Sequence, residues 1–234
     1  GWSVNRGHYG MKKSLFITGT DTGVGKTFVA CALARGFKAQ GMKVGVMKPV
    51  ETGCRGRNGG LIPEDARKLR EAAGSEDPID TINPYRFSPP LAPSLAAREA
   101  GVTIELQRIK RSYEELSEKN DVVIVEGAGG LMVPLTDSKT FADLVLFLGL
   151  PMVVVAPNRL GVINHTLLTV RCAEAAGIEV RGAVLNNLSV ETDESAPHNA
   201  GELKRLGITV IKTLPFSKEG EGSDLFRELI EFIL

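Results

Sequence analysis

The stretch GTDTGVGKT, Gly19 to Thr27, lies directly behind the apolar run SLFIT (14–18) and opens a segment of helical pattern, 25–40. Its end, Gly25-Lys26-Thr27, is that of a phosphate-cradling loop, but five residues separate Gly19 from Gly25 where the common spacing has four. Strand before and helix after are the context such a loop requires. Glycines let backbone N–H groups turn onto phosphate oxygens, and the helix N-terminus adds a favourable dipole. In that arrangement Lys26 reaches the β- and γ-phosphates and the Thr27 hydroxyl ligates Mg²⁺.

Working outward, apolar, β-branched runs recur as strand candidates at 14–19, 43–48, 121–127, 152–156, 181–187 and 209–214. Continuous apolar runs of this length suit strands buried on both faces. Helical segments lie between them at 25–40, 63–73, 103–119, 162–176, 198–206 and 223–233. In 103–119 the spacing of Ile104, Ile109, Tyr113 and Leu116 among charges follows the helical period. Repeated β–α alternation predicts an α/β fold with a doubly wound, mainly parallel sheet and helices on both faces, of phosphate-loop nucleotide-triphosphatase type. Two loops interrupt the pattern, the proline-rich 83–94 and the polar 189–197. Neither has the length of an inter-domain linker, so residues 11–234 are expected to form one domain, preceded by a leader at 1–10 ahead of Met11.

Lysine plus arginine and aspartate plus glutamate each number 28. That balance gives no positive field favouring nucleic acid or an anionic membrane. The longest apolar stretches are too short to span a bilayer. The three cysteines, Cys31, Cys54 and Cys172, lack metal-ligand spacing and read as free thiols of a reducing compartment. With no apolar signal core at the start, a cytoplasmic location is expected.

Mg²⁺ takes hard oxygen ligands. The run DVVIVEG (121–127) ends in Glu126, where a carboxylate would emerge beside the phosphate loop, followed by Gly127, Ala128 and Gly129. Asp65 opens a helical segment, where an acid is also explained by the helix dipole. A guanine-reading Asn-Lys-x-Asp sequence is missing from the strand end LNNLS (185–189), which disfavours a regulatory GTPase. Partitioning ATPases carry a second lysine early in the loop. Aligned on Gly25-Lys26-Thr27 that position is Asp21, whose negative charge cannot reach across to a partner's nucleotide.

GTDTGVGKT, KPVETG (48–53), EDA (64–66), VEGAGGLMVPL (125–135) and LGVINHTLLT (160–169), in this order, resemble dethiobiotin synthetases, whose phosphate loop has the same extra residue. The resemblance runs from about residue 14 to about 215. It implies a ligase that uses ATP, Mg²⁺ and CO₂ to close a cyclic urea on 7,8-diaminopelargonate, giving dethiobiotin in biotin biosynthesis. The implied route passes through a carbamate and a carbamic-phosphoric anhydride, so positioning and charge neutralisation do the catalytic work. An amidating relative acting on a larger precursor would carry a glutaminase domain, for which no length remains.

By the same resemblance Lys26 and Lys48 are the catalytic cations, and Thr27, Asp65 and Glu126 hold Mg²⁺. The nucleotide would lie on Gly23, Val24, Gly25, Lys26, Thr27 and Phe28, on Asp65 and Glu126 to Gly129, and on Asn186, Asn187, Pro215, Phe216 and Ser217 around the adenine. Thr22 and Thr52 would bind the carbamate or amine. Gly161, Val162, Ile163 and Asn164 would offer helix N–H groups to the substrate carboxylate across a homodimer interface. His165 there reads as an interface or capping residue. Several relatives have a glutamate where Gly23 stands, so no role of that acid carries over.

Overall fold

The computed structural model describes residues 14–57, 59–217 and 230. The leader at 1–10 and nearly all of the helix expected at 223–233 lie outside the described residues. In chain order, β1 (Leu15–Gly19) leads through the phosphate loop into α1 (Lys26–Ala39) and β2 (Val44–Met47). Then come β3 (Val50–Glu51), β4 (Arg55–Arg57), β5 (Gly60–Ile62), α2 (Glu64–Ala73), α3 (Ile79–Ile82), β6 (Tyr85–Arg86), α4 (Pro93–Glu99) and α5 (Leu106–Lys119). The second half runs β7 (Val122–Gly130), α6 (Phe141–Leu148), β8 (Met152–Pro157), α7 (Val162–Ala175), β9 (Val180–Asn186), α8 (Ala196–Arg205) and β10 (Val210–Leu214).

Six strands form one sheet in the order β10-β9-β8-β1-β7-β2, with every pairing parallel. These are the six strands expected from the sequence. Phe16, Ile17, Val123, Ile124, Val153 and Val154 are fully buried because helices cover both faces. All six carboxyl ends lie along one edge. β1 sits between β7 and β8, so the chain leaves it towards β2 on one side and later fills β8 to β10 on the other. That reversal places the crevice at the end of β1, where such sheets bind ligands.

Several helices depart from the sequence expectation, among them the short α3, for which no helix is expected. α6 stands where the sequence suggests no helix, because FADLVLFLGLPMVVVAP carries one charge, Asp143, among otherwise apolar side chains and shows no clear period; a capping box of Thr140 and Asp143 starts the helix and Gly149 at φ 66° ends it. α4 begins at Pro93, inside the expected loop 83–94, and α8 begins at Ala196 with Pro197 in its first turn. A proline there gives up only an N–H that has no helical partner. Within 103–119 the helix starts at Leu106, leaving buried Ile104 ahead of it.

Candidate active site

The loop 19–27 folds back over its first glycine. A Cβ on Gly19 would stand 2.8 Å from the Asp21 carbonyl and from Val24 Cγ2, and 3.0 Å from Lys26 Nζ. Gly23 and Gly25 take φ of 75° and 93°, which glycine adopts without strain. Lys26 is buried, and its Nζ donates to the Asp21 carbonyl at 3.0 Å. Burial first, and the Lys48 cation second, pull its pKa from 10.5 to about 8, against the opposing pull of Glu126, Asp65 and Asp21.

β2 delivers Lys48 and β7 delivers Glu126 to the same edge. Lys48 Nζ donates to Glu126 Oε1 at 2.7 Å and to the Gly127 carbonyl at 3.1 Å, and it stands 3.2 Å from Asp65 Oδ2. Its backbone is clamped between the Ile82 carbonyl and the buried Asn83 amide. Burial acts to lower the Lys48 pKa, but the Glu126 and Asp65 carboxylates outweigh it and hold the lysine charged. Thr27 Oγ1 donates to Glu126 Oε1 at 2.7 Å. Glu126 Oε2 is buried and has no hydrogen-bond partner, an open acceptor of the kind a cation would satisfy.

Among the described residues no group of three or more His, Cys, Asp and Glu could hold a metal. Thr27, Asp65 and Glu126 instead offer one hydroxyl and two carboxylates beside the phosphate loop. That hard-oxygen set suits Mg²⁺, which takes one or two carboxylates and completes its shell with phosphate and water.

A cavity of about 660 Å³ joins these groups. Of the residues singled out in the sequence, Thr22, Gly23, Gly25, Lys26, Thr27, Phe28, Lys48, Thr52, Asp65, Glu126, Ala128 and Gly129 line it. Val24 is buried beneath the loop, and Gly127 packs on Phe16, whose ring lies 3.0 Å from where a Cβ would be. The remaining adenine candidates stand apart from this cavity. Asn186 Nδ2 donates to the Val24 carbonyl at 3.1 Å, and the Asn187 N–H donates to the Leu214 carbonyl, just before Pro215, Phe216 and Ser217. Asn187 Oδ1 accepts from Asn158, a buried polar residue not singled out in the sequence.

Gly161, Val162, Ile163 and Asn164, at the start of α7, do not line the central cavity. Gly161 and Ile163 border a separate cavity of about 740 Å³ with residues of α8. Sequence reasoning also missed Glu51, Lys68 and Val133 at the central cavity. Glu51 is buried and accepts N–H bonds from Asp65 and Ala66 at 3.0 Å each. Burial pushes its pKa up against those two bonds. The visible signal was an acid in the middle of KPVETG, but nothing local names its partners. Pro90, Leu91, Ala92 and Pro93, from the expected proline-rich segment, form another wall.

A family described as an AAA domain matches residues 13–219. The ATP-dependent dethiobiotin synthetase of Anaeromyxobacter dehalogenans is 48% identical over 83% of this chain and 85% of its own. That of Thermodesulfovibrio yellowstonii is 40% identical over 89% and 91%, and that of Nitrosospira multiformis 43% identical over 92% and 94%. Among solved structures, the septum site-determining protein MinD of Pyrococcus horikoshii, complexed with Mg-ADP, superposes with a TM-score of 0.55 at 13% identity, over 93% of this chain and 95% of that one. A ParA family ATPase of Chlorobium tepidum gives 0.53 at 13% identity, over 94% and 97%. Those two share the fold; Asp21 stands where the sequence argument placed the partitioning lysine. No helix among the described residues is long and apolar enough to cross a membrane.

Proposed function

The chain belongs to the ATP-dependent dethiobiotin synthetase family, and from that premise we propose that it is a cyclo-ligase closing the ureido ring of dethiobiotin from 7,8-diaminopelargonate, CO₂ and ATP. The observation that carries the chemistry is the pair of buried lysines, Lys26 and Lys48, on one cavity with Thr27, Asp65 and Glu126. Two cations fixed beside a phosphate loop suit a reaction in which two anions, a carbamate and a triphosphate, must approach each other.

One amine of the diamine adds to CO₂, forming a C–N bond and losing a proton to give the carbamate. A carbamate oxygen attacks the γ-phosphorus, and the bond to ADP breaks with its electron pair leaving on ADP. The second amine attacks the carbamoyl carbon of the anhydride, phosphate departs, and a proton is lost as the ring closes. Lys26 holds the β- and γ-phosphates. Lys48 offsets the charge of the carbamate and the transferring group, and the Thr22 and Thr52 hydroxyls orient the carbamate and free amine. Thr27, Asp65 and Glu126 would hold Mg²⁺, which would neutralise phosphate charge. The adenine is assigned to Asn186, Asn187 and Pro215 to Ser217.

The helix start Gly161–Asn164 is assigned to the substrate carboxylate of a second copy in a homodimer. Its place outside the central cavity supports that reading, as does the exposure of Leu160 beside it and of Leu168 and Met132, which share a further cavity along α7. Mass spectrometry with ¹³C-bicarbonate, the diamine and MgATP tests the activity. Labelled dethiobiotin is expected, with ATP turnover that requires the diamine; ATP hydrolysis that proceeds equally without diamine refutes it. Sedimentation showing only monomer under assay conditions would refute the shared site.

A further inference from the structure

The start of α2, which carries Asp65, is held from outside its own sequence. A helix leaves its first N–H groups without intrahelical partners, and a Ser, Thr, Asp or Asn cap normally satisfies one. The residue at that position is Pro63, which makes no side-chain capping bond. The acceptor is Glu51, on β3. Its Oε1 takes the Asp65 N–H and its Oε2 takes the Ala66 N–H, each at 3.0 Å. Glu51 is itself pinned, because β3 pairs with β6 and the Glu51 carbonyl accepts the Phe87 N–H at 2.8 Å. One buried carboxylate thus spans KPVETG and EDA, the two segments that bring Lys48 and Asp65 to within 3.2 Å of each other.

Building on the assignment of Asp65 to the Mg²⁺ site above, we propose that Glu51 is a positioning residue for that site. It tethers the first turn of α2 to β3 and so fixes where the Asp65 carboxylate stands relative to Lys48 and Glu126. Although Glu51 borders the central cavity, both of its oxygens are turned onto helix amides, the geometry of a group that acts through Asp65. A tether of this kind does what a ligand's hydrogen-bonded neighbour does in any metal site: it sets orientation in advance, and losing it weakens the metal more than the fold.

The test measures Mn²⁺ binding by electron paramagnetic resonance, with a non-hydrolysable ATP analogue present. It compares the parent chain, Glu51→Gln, Glu51→Ala and the double variant Glu51→Ala/Pro63→Ser. Glu51→Ala is expected to weaken Mn²⁺ by about tenfold or more, as loss of such neighbours does elsewhere. Glu51→Gln should lose less, since its amide oxygen still accepts one N–H. Affinity for the analogue in EDTA should not change, and the Mg²⁺ needed for half-maximal turnover should rise while kcat at saturating Mg²⁺ recovers. Pro63→Ser gives the helix a local cap without the link to β3. Thermal stability should therefore recover in the double variant while Mn²⁺ affinity stays low. Parent-like Mn²⁺ affinity in Glu51→Ala would overturn the proposal. So would recovery of metal affinity together with stability in the double variant. If Glu51→Ala alone does not fold, Glu51→Gln and the capped double variant make the same comparison. Because the binding arm needs no turnover, a failure to form dethiobiotin with the Mn²⁺ pattern intact would count against the ligase reading alone.

Discussion

Lys26 is a buried cation beside a second buried cation, and that arrangement has a consequence measurable in solution. Burial and Lys48 together bring its pKa to about 8 in the nucleotide-free chain. A triphosphate seated in the loop reverses the balance, because anionic oxygens favour the charged lysine. Above pH 8 the free lysine is largely neutral and the bound one charged, so binding takes up a proton. Well below pH 8 both are charged, and this group contributes no uptake. With a free pKa of about 8 and the bound lysine held charged, the uptake approaches about 0.1 proton at pH 7, half a proton at pH 8 and about 0.9 at pH 9. Affinity therefore weakens as pH climbs past 8, approaching about tenfold per pH unit. The phosphates do not confuse the reading above pH 8, since a second phosphate pKa lies near ~6. Folding is linked to the same group. Its pKa is 10.5 unfolded and about 8 folded, so stability rises with pH between those values, and below them a penalty of roughly 3 kcal/mol is fully present. The assay is isothermal titration calorimetry of ATP in EDTA at pH 7, 8 and 9, in buffers of different ionisation enthalpy. Lys26→Arg keeps the charge but stays protonated throughout, so it should bind with no uptake. Absence of uptake at pH 9 in the parent, or equal uptake in Lys26→Arg, would refute the reasoning.

Lys48→Ala leaves the buried Glu126 carboxylate without its cation. It should cost about 3–5 kcal/mol in urea denaturation and abolish ring closure, while the phosphate loop still binds ATP. Gly25→Ala combines φ of 93° with a Cβ that would overlap the Asn186 side-chain amide. Breaking the Asn186 bond to Val24 should weaken a fluorescent ATP analogue by about tenfold or more in a direct titration. Thr140→Ala removes the capping box at the start of α6, far along the chain from the loop. It should cost about 1 kcal/mol of stability in a thermal melt and leave nucleotide affinity alone.

What the sequence revealed followed the range of the interactions. The phosphate loop was legible because its chemistry is carried by consecutive residues, and Gly19 to Thr27 fold as their spacing predicts. The six sheet strands were legible because burial on both faces demands unbroken apolar runs such as MVVVA (152–156). α6 was not, for the same reason inverted: FADLVLFL is apolar on its exposed as well as its buried positions, Leu146 among the exposed, so little marks a period, and its apolar run merges with that of β8. The strand order was also hidden, since β1 pairs with β7 and β8 across more than a hundred residues of chain.

The site divides along the same line. Lys26, Thr27 and Glu126 announce themselves at a loop or a strand end. Asp65 was ambiguous from spacing, and its proximity to Lys48 is what sets it apart from an ordinary first-turn acid. Glu51 was in plain view within KPVETG, yet its role depends on two helix amides 14 and 15 residues away and on a proline that cannot cap its own helix. Read alone, an acid at that position has no partner to suggest a function. Folding supplies the partner, and with it the link from β3 to the carboxylate that faces Lys48. The extra residue of GTDTGVGKT gains its sense in the same way. The loop doubles back so that the Asp21 carbonyl receives the Lys26 ammonium, and Thr22 is left lining the cavity along with Thr52 and Asp65. A lysine side chain at position 21 would bring a third cation towards Lys26 and Lys48, whose mutual repulsion already depresses the Lys26 pKa. The acid at that position works the other way, drawing the Lys26 pKa back up against burial and Lys48.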